Sequence, residues 1–292
     1  MGIFKIFGQG VRTARAKTRV AIYLWLLNFL FAAIVIAPVY FLLQKEFSRS
    51  LLGDRLLSGM ELLWLGDLIY KFQNAAPLLI GGLLVAAVLY VLLQIFLTGG
   101  IIGRLAAAGE KANLAAFFGD CGRYFWRLFR VFLLFLVSAL LIFGVLGRLL
   151  SAPFGLWMKN ASTEWTTLAA SSLRLLVFLL LFSIVRMFFD YVKVSLVVAD
   201  SRKTLRAALA NFSFLGRRFF RAWVLYLLVG ALFFVLSAAY LAVAKTLPKP
   251  GFFALFLFFL QQAYIVARSW TTILFFSTEY HFLMAHRPLL RQ

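Results

Sequence analysis

The chain is 292 residues long, with 64% hydrophobic residues, 14% charged residues and a mean hydropathy of +0.95. A water-soluble domain of this size carries far more charge, so the composition excludes an ordinary soluble protein and points to an all-α, polytopic membrane protein. The net charge of +20 invites a nucleic-acid reading, and the single cysteine, Cys121, excludes an intrachain disulfide or a cysteine metal cluster.

A bilayer core about 30 Å thick needs roughly 20 mostly apolar helical residues. In chain order, a basic segment holding Lys5, Arg12, Arg15, Lys17 and Arg19 comes first. The apolar run after it, 20–43, is too long for a signal-peptide core and lacks a small-x-small cleavage site, so a retained first span is expected. The connection 45–73 places Leu52, Leu56, Met60 and Leu63 at helical spacing, with Asp54 and Glu61 elsewhere on the wheel. This pattern predicts an amphipathic helix on the outer membrane surface. Further spans are expected at 76–102, 129–147, 173–199, 222–244 and 252–278, making six in one transmembrane domain over 1–292. Between the third and fourth, Pro153, Trp157 and Trp165 suit an interfacial loop.

Lys and Arg set the orientation. The N-terminal segment, the two connections after spans two and four, and the C-terminal end together hold 18 basic and 4 acidic residues, whereas the remaining loops hold nine and five. Six spans with both termini cytoplasmic follow. The same placement accounts for most of the positive charge without nucleic acid.

Two stretches 94 positions apart, GRYFWRLFR from Gly122 and GRRFFRAW from Gly216, repeat a basic-aromatic junction. Phe118, Cys121, Gly122, Arg123, Phe125 and Arg127 align with Phe212, Leu215, Gly216, Arg217, Phe219 and Arg221. An amphipathic segment precedes each junction and an apolar run follows it. The chain therefore reads as two parallel units, 76–147 and 173–244, each built as span, in-plane cytoplasmic helix, span. Spans six and one, with Gly8 and Gly10 before span one, offer a third such hairpin split between the chain ends. Arginine at a membrane boundary can reach lipid phosphates while its stem stays in apolar surroundings, and anionic lipids add roughly 1 kcal/mol of attraction per basic residue. Candidate headgroup contacts are therefore Arg123, Arg127, Arg217, Arg218 and Arg221, with Trp126, Trp223, Tyr124 and Tyr226 at headgroup level.

Charges inside spans are costly and face protein or water. Arg186, Asp190 and Lys193 share one face of span four by their spacing. Gln261, Gln262 and Arg268 in span six and Gln94 in span two fall near the same depth, which suggests one intramembrane polar layer. That layer either locks helix register, with Asp190 paired to Arg186 or Arg268 and Lys193 reaching the cytoplasm, or lines a polar cavity. His281 and His286, five residues apart, do not share a helix face as zinc ligands should. No nucleophile elbow, phosphate loop or metalloprotease motif is present. No catalytic residue, metal or cofactor is expected.

The run FDYVKVSLVVADSRKTLRAALANFSFLGRRFFRAWVLYLL and the ending QQAYIVARSWTTILFFSTEYHFL resemble uncharacterised bacterial six-span integral membrane proteins. They are also distantly similar to the membrane domain attached to some glycerophosphodiester phosphodiesterases. The likeness spans about 76–285. It implies a bacterial inner-membrane location and association with lipids; no phosphodiesterase activity carries over, because that enzyme's soluble domain and acidic metal ligands are missing. The expected function is a non-enzymatic, lipid-interacting scaffold or lipid-handling accessory with anionic lipids and a membrane protein as partners. The alternative is a transporter of a lipid or small solute through the polar layer.

Overall fold

Away from water, an apolar chain must satisfy its own backbone N–H and C=O groups, and the α-helix does so within one segment. In the computed structural model the described residues are 2–47, 76–107, 113–159, 163–247 and 252–286, and no strand occurs among them. Their helices are α1 (Ile3–Ala16), α2 (Thr18–Phe47), α3 (Ala76–Ala106), α4 (Leu114–Lys159), α5 (Glu164–Val198), α6 (Thr204–Gly216), α7 (Phe219–Thr246) and α8 (Phe252–His286). Six of these, α2–α5, α7 and α8, contain stretches long and apolar enough to cross a membrane. The protein is an all-α, multi-pass membrane protein. The expected surface helix within 45–73 lies outside the described residues, apart from the end of α2.

Three boundaries differ from expectation. Pro153, Trp157 and Trp165, expected in an interfacial loop, lie in helix, the first two in α4 and the third in α5. The basic N-terminal segment is itself a helix, α1, with Ile6, Gly10 and Ala14 forming a buried row. The first junction does not separate an in-plane helix from span three, because α4 runs through it unbroken for 46 residues. At 1.5 Å per residue that is about 69 Å, more than twice a bilayer core. The second junction does break: Arg217 caps α6, Arg218 N–H donates back to the Leu215 carbonyl at 3.0 Å, and α7 begins at Phe219.

The described residues group into two compact units, one over Met1–Ala16, Thr98–Gly230 and Leu274–Gln292, the other over Lys17–Leu97 and Ala231–Ile273. In the first unit, α3 offers Gly99, Gly100 and Gly103 to α4. A Cβ on Gly100 would meet Cys121 Sγ and the Phe117 ring at 2.5 Å, and one on Gly103 would meet the Asp120 carboxyl at 2.6 Å. This closeness seats the buried pair of Arg104 Nε and Asp120 Oδ2 at 2.6 Å. Likewise α6 folds back over the last turns of α5: Asn211 Nδ2 donates to Ser195 Oγ, and Phe188 meets Phe212 edge-on at 5.7 Å. Finally, α1 lies on the end of α8, where Ser277 donates to the Gly10 carbonyl at 2.9 Å and Thr13 shares a hydrogen bond with His281 at 2.8 Å.

The burial pattern keeps the 94-residue register. Phe117 and Asn211, Cys121 and Leu215, Leu128 and Ala222, and Val131 and Leu225 are all buried, while Trp126 and Phe220 are both exposed. One core of this unit gathers Ile6, Met187, Tyr191, Phe214, Leu225 and Phe282 from five helices.

In the second unit, polar bonds join the helices, as expected where lipid offers no competing partner. Gln94 Nε2 donates to Asn28 Oδ1 at 2.7 Å, and Trp25 Nε1 donates to Gln262 Oε1 at 2.9 Å, tying α2 to α3 and α8. Tyr240 stacks on Tyr264 at 4.4 Å, whose hydroxyl shares a 3.0 Å hydrogen bond with Ser237.

Candidate lipid interface and buried ionic cluster

The end of α5 is built as a left-handed cap. Ser201 N–H reaches the Leu196 carbonyl and Asp200 N–H the Val197 carbonyl, both at 3.1 Å, with Asp200 at φ 44°. That conformation suits glycine best, and Asp tolerates it better than most residues. Asp200 uses it to meet two arginines of α4: Arg123 Nη2 donates to Oδ2 at 2.8 Å and Arg127 Nη1 to Oδ1. Both guanidinium groups also sit about the Tyr124 ring, 5.4 and 5.5 Å from its centre. Hydrogen bonding from Arg127, then from Arg123, holds the Asp200 carboxyl below its ordinary range against the opposing effect of burial.

This corrects part of the expected headgroup set. Arg127 is 13% exposed and committed to Asp200, and Arg123 shares the same carboxylate. Tyr124 and Tyr226 are buried, and Trp223 stacks on Phe219 and donates its indole N–H to Ser183 Oγ at 3.1 Å. Trp126 does face outward.

The α6–α7 elbow differs. Gly216, Arg217, Arg218, Phe219, Phe220 and Arg221 line an open groove of about 530 Å³. Arg218 lies over the Phe214 ring at 5.3 Å, and among the described residues no carboxylate pairs with Arg217, Arg218 or Arg221. Leu205, Leu209 and Phe212, at helical spacing, are exposed along α6, and Phe220 is exposed at the start of α7. A basic groove beside an unburied apolar row is the pattern of a lipid-facing amphipathic helix.

Deeper in the first unit, Asp190 is buried on α5. Lys193 Nζ donates to its Oδ1 at 2.7 Å, Arg186 Nε lies 3.7 Å from Oδ2, and the Tyr226 hydroxyl of α7 donates to Oδ2 at 3.5 Å. Lys193 thus turns to Asp190, and the Asp190 partners are on its own helix and α7. Glu279 of α8 completes the set. It is 2% exposed, within electrostatic reach of Asp190, Lys193 and Arg186, and neither carboxylate oxygen has a hydrogen-bond partner among the described residues. The buried Tyr191 hydroxyl, also within electrostatic reach of Glu279, has no partner either.

The expected polar layer therefore resolves into parts. Arg186, Asp190 and Lys193 belong to the first unit; Gln94 and Gln262 belong to the second with partners of their own, and Gln261 and Arg268 are exposed there. Sequence reasoning counted Glu279 among the loop charges. The signal that identifies it is its place within FFSTEYHFLM, a run whose neighbours on both sides are apolar or small. Among the described residues no group of three metal-ligating side chains gathers. Compared with family models, with curated proteins and with solved structures, the chain matches none.

Proposed function

We propose that the protein is a non-enzymatic, lipid-interacting membrane protein, a scaffold or lipid-handling accessory that holds anionic lipid at its basic elbow. The observation that carries this reading is the arginine groove at 216–221, without a carboxylate partner among the described residues, beside the exposed row Leu205, Leu209, Phe212. Apolar side chains there enter the headgroup boundary while the arginines meet phosphate. A bacterial inner-membrane setting with both termini cytoplasmic belongs to the same proposal. It is supported by the skew of 18 basic residues toward one side and by the likeness to the membrane domain attached to some glycerophosphodiester phosphodiesterases. The test is native mass spectrometry of lipids retained from mixed phosphatidylglycerol and phosphatidylcholine micelles. Arg217→Gln, Arg218→Gln and Arg221→Gln together should abolish enrichment of the anionic lipid. Undiminished enrichment overturns the proposal.

Transport is the second reading, and it draws on Glu279 and Tyr191, buried polar groups left without partners beside Asp190. Such groups inside a span mark solute or proton paths. Modification of Glu279 by a membrane-permeant carbodiimide in reconstituted vesicles would favour it. Complete protection would favour a solid bundle.

A further inference from the structure

At the 94-residue register, Arg217 and Arg221 stand where Arg123 and Arg127 stand, and Arg218 takes the place of Tyr124. At the first junction the two arginines gather about the Tyr124 ring and close on one carboxylate. Arg123 takes Asp200 Oδ2 and Arg127 takes Oδ1, so one anionic group with two oxygens serves the pair. The elbow differs twice: a guanidinium replaces the ring, and no carboxylate among the described residues meets its arginines. These positions carry three positive charges at the elbow, whereas the first junction keeps a balance of one. Two negative charges would bring the elbow to that same balance.

The groove that Arg217, Arg218 and Arg221 line has room for them, since its volume of about 530 Å³ falls within the roughly 300–1,000 Å³ of small-molecule sites. Arginine binds phosphate oxygens through its planar fork of N–H donors. A phosphodiester has two free oxygens, the number that Asp200 divides between Arg123 and Arg127, which leaves Arg218 for a second phosphate. Arg218 is half-buried and lies over the Phe214 ring, whereas Arg217 and Arg221 are exposed. Apolar side chains are exposed on both arms of the elbow, Leu205, Leu209 and Phe212 on α6 and Phe220 and Val224 on α7. Acyl chains therefore find apolar surface on either side of the arginines. We infer that the elbow is a site for a lipid carrying two phosphate groups, one held by Arg217 and Arg221 and the other by Arg218.

This rests on the elbow being an anionic-lipid site and adds the number of phosphates as what it selects. Two lipid chemistries carry two phosphates, a bis-phosphodiester such as cardiolipin and a polyprenyl diphosphate. Full-length protein in neutral detergent is titrated with tetramyristoyl cardiolipin and with tetramyristoyl bis(diacylglycero)phosphate, which has the same four chains on a single phosphate. Cardiolipin should bind about fivefold tighter, the value of one more basic residue on anionic lipid. Arg218→Gln should bring the ratio of the two affinities close to one, whereas Arg218→Lys, which keeps the charge, should preserve most of it. Arg217→Gln with Arg221→Gln should weaken both lipids. Should Arg218→Gln fail to fold, the two titrations of the unaltered protein decide the matter. Displacement of cardiolipin by farnesyl diphosphate at equal potency would assign the site to a polyprenyl diphosphate; weak displacement would assign it to a bis-phosphodiester. Equal affinity for the two four-chain lipids in the unaltered protein overturns the inference, as does a cardiolipin preference that Arg218→Gln leaves intact. Failure of the elbow as a lipid site would instead show as both lipids binding no better than phosphatidylcholine.

Discussion

Replacing Gly100 with alanine sets two effects against each other. Alanine is a better helix former, by about 1 kcal/mol in a helix interior. The added Cβ, however, would sit 2.5 Å from both Cys121 Sγ and the Phe117 ring, each fully buried, so neither neighbour has room to retreat. Overpacking of this kind costs about 1–3 kcal/mol, and the net expectation is a loss of about 0–2 kcal/mol. Gly103→Ala should cost about 2–3 kcal/mol, because its Cβ meets the Asp120 carboxyl at 2.6 Å and pushes it from Arg104 in a pair that is almost wholly buried. Gly144→Ala and Gly147→Ala, where a Cβ meets open space, should be neutral or gain up to about 1 kcal/mol. Reversible unfolding in mixed micelles titrated with dodecyl sulfate, followed by tryptophan fluorescence, measures all four. Gly100→Ala as stable as Gly144→Ala would refute the close approach of α3 and α4.

The remaining predictions concern charge and docking. Asp200→Asn combined with Arg127→Gln in a double-mutant cycle should give a coupling of about 1 kcal/mol, the upper end for an exposed pair because Arg127 is largely covered. Since the folded carboxyl sits below its ordinary value, its stabilisation is complete above roughly pH 4 and is lost as pH falls through the folded value. Asp200→Asn should remove that part of the acid limb, and an unchanged pH profile would count against the pair. Asp190→Asn should cost about 2 kcal/mol by releasing Lys193, Arg186 and Tyr226, whereas Glu279→Gln, which breaks no hydrogen bond, should change stability by less than about 1 kcal/mol. Equal losses in the two variants would show Glu279 to be a full partner in the cluster. Gly10→Leu would drive a side chain into Thr278 and undock α1, speeding tryptic cleavage at Arg12 and Arg15; unaltered cleavage would contradict that packing.

Hydropathy made the spans legible, because twenty apolar residues in lipid have little choice but to be helical. At the 94-residue spacing, Cys121 and Val131 are buried as Leu215 and Leu225 are. What the pattern did not disclose was partnership. Arg123 and Arg217 look alike in the sequence, yet one is committed to Asp200 and the other has no carboxylate among the described residues, a difference set by the left-handed turn that aims Asp200 at α4. The continuity of α4 through its junction escaped for a similar reason: GRYFW and GRRFF carry the same residue classes, and the break after α6 depends on its packing against α5. Glu279 was hidden because a charge near the end of a span reads as a loop charge until its neighbours are placed.

The seat of α1 has a consequence for how the chain is made. Thr13 and His281 are 268 residues apart, so the surface on which α1 rests does not exist until α8 has been synthesised. At about 5–20 residues per second, the first helix waits roughly 15–50 s after leaving the ribosome. During that interval Gly10, against which Thr278 later packs, lacks its partner surface, and the membrane is the nearest substitute for the apolar row Ile6, Gly10 and Ala14. Translated ahead of α8, α1 therefore reaches its place only after α8 has been made, and Gly10→Leu would burden that late step.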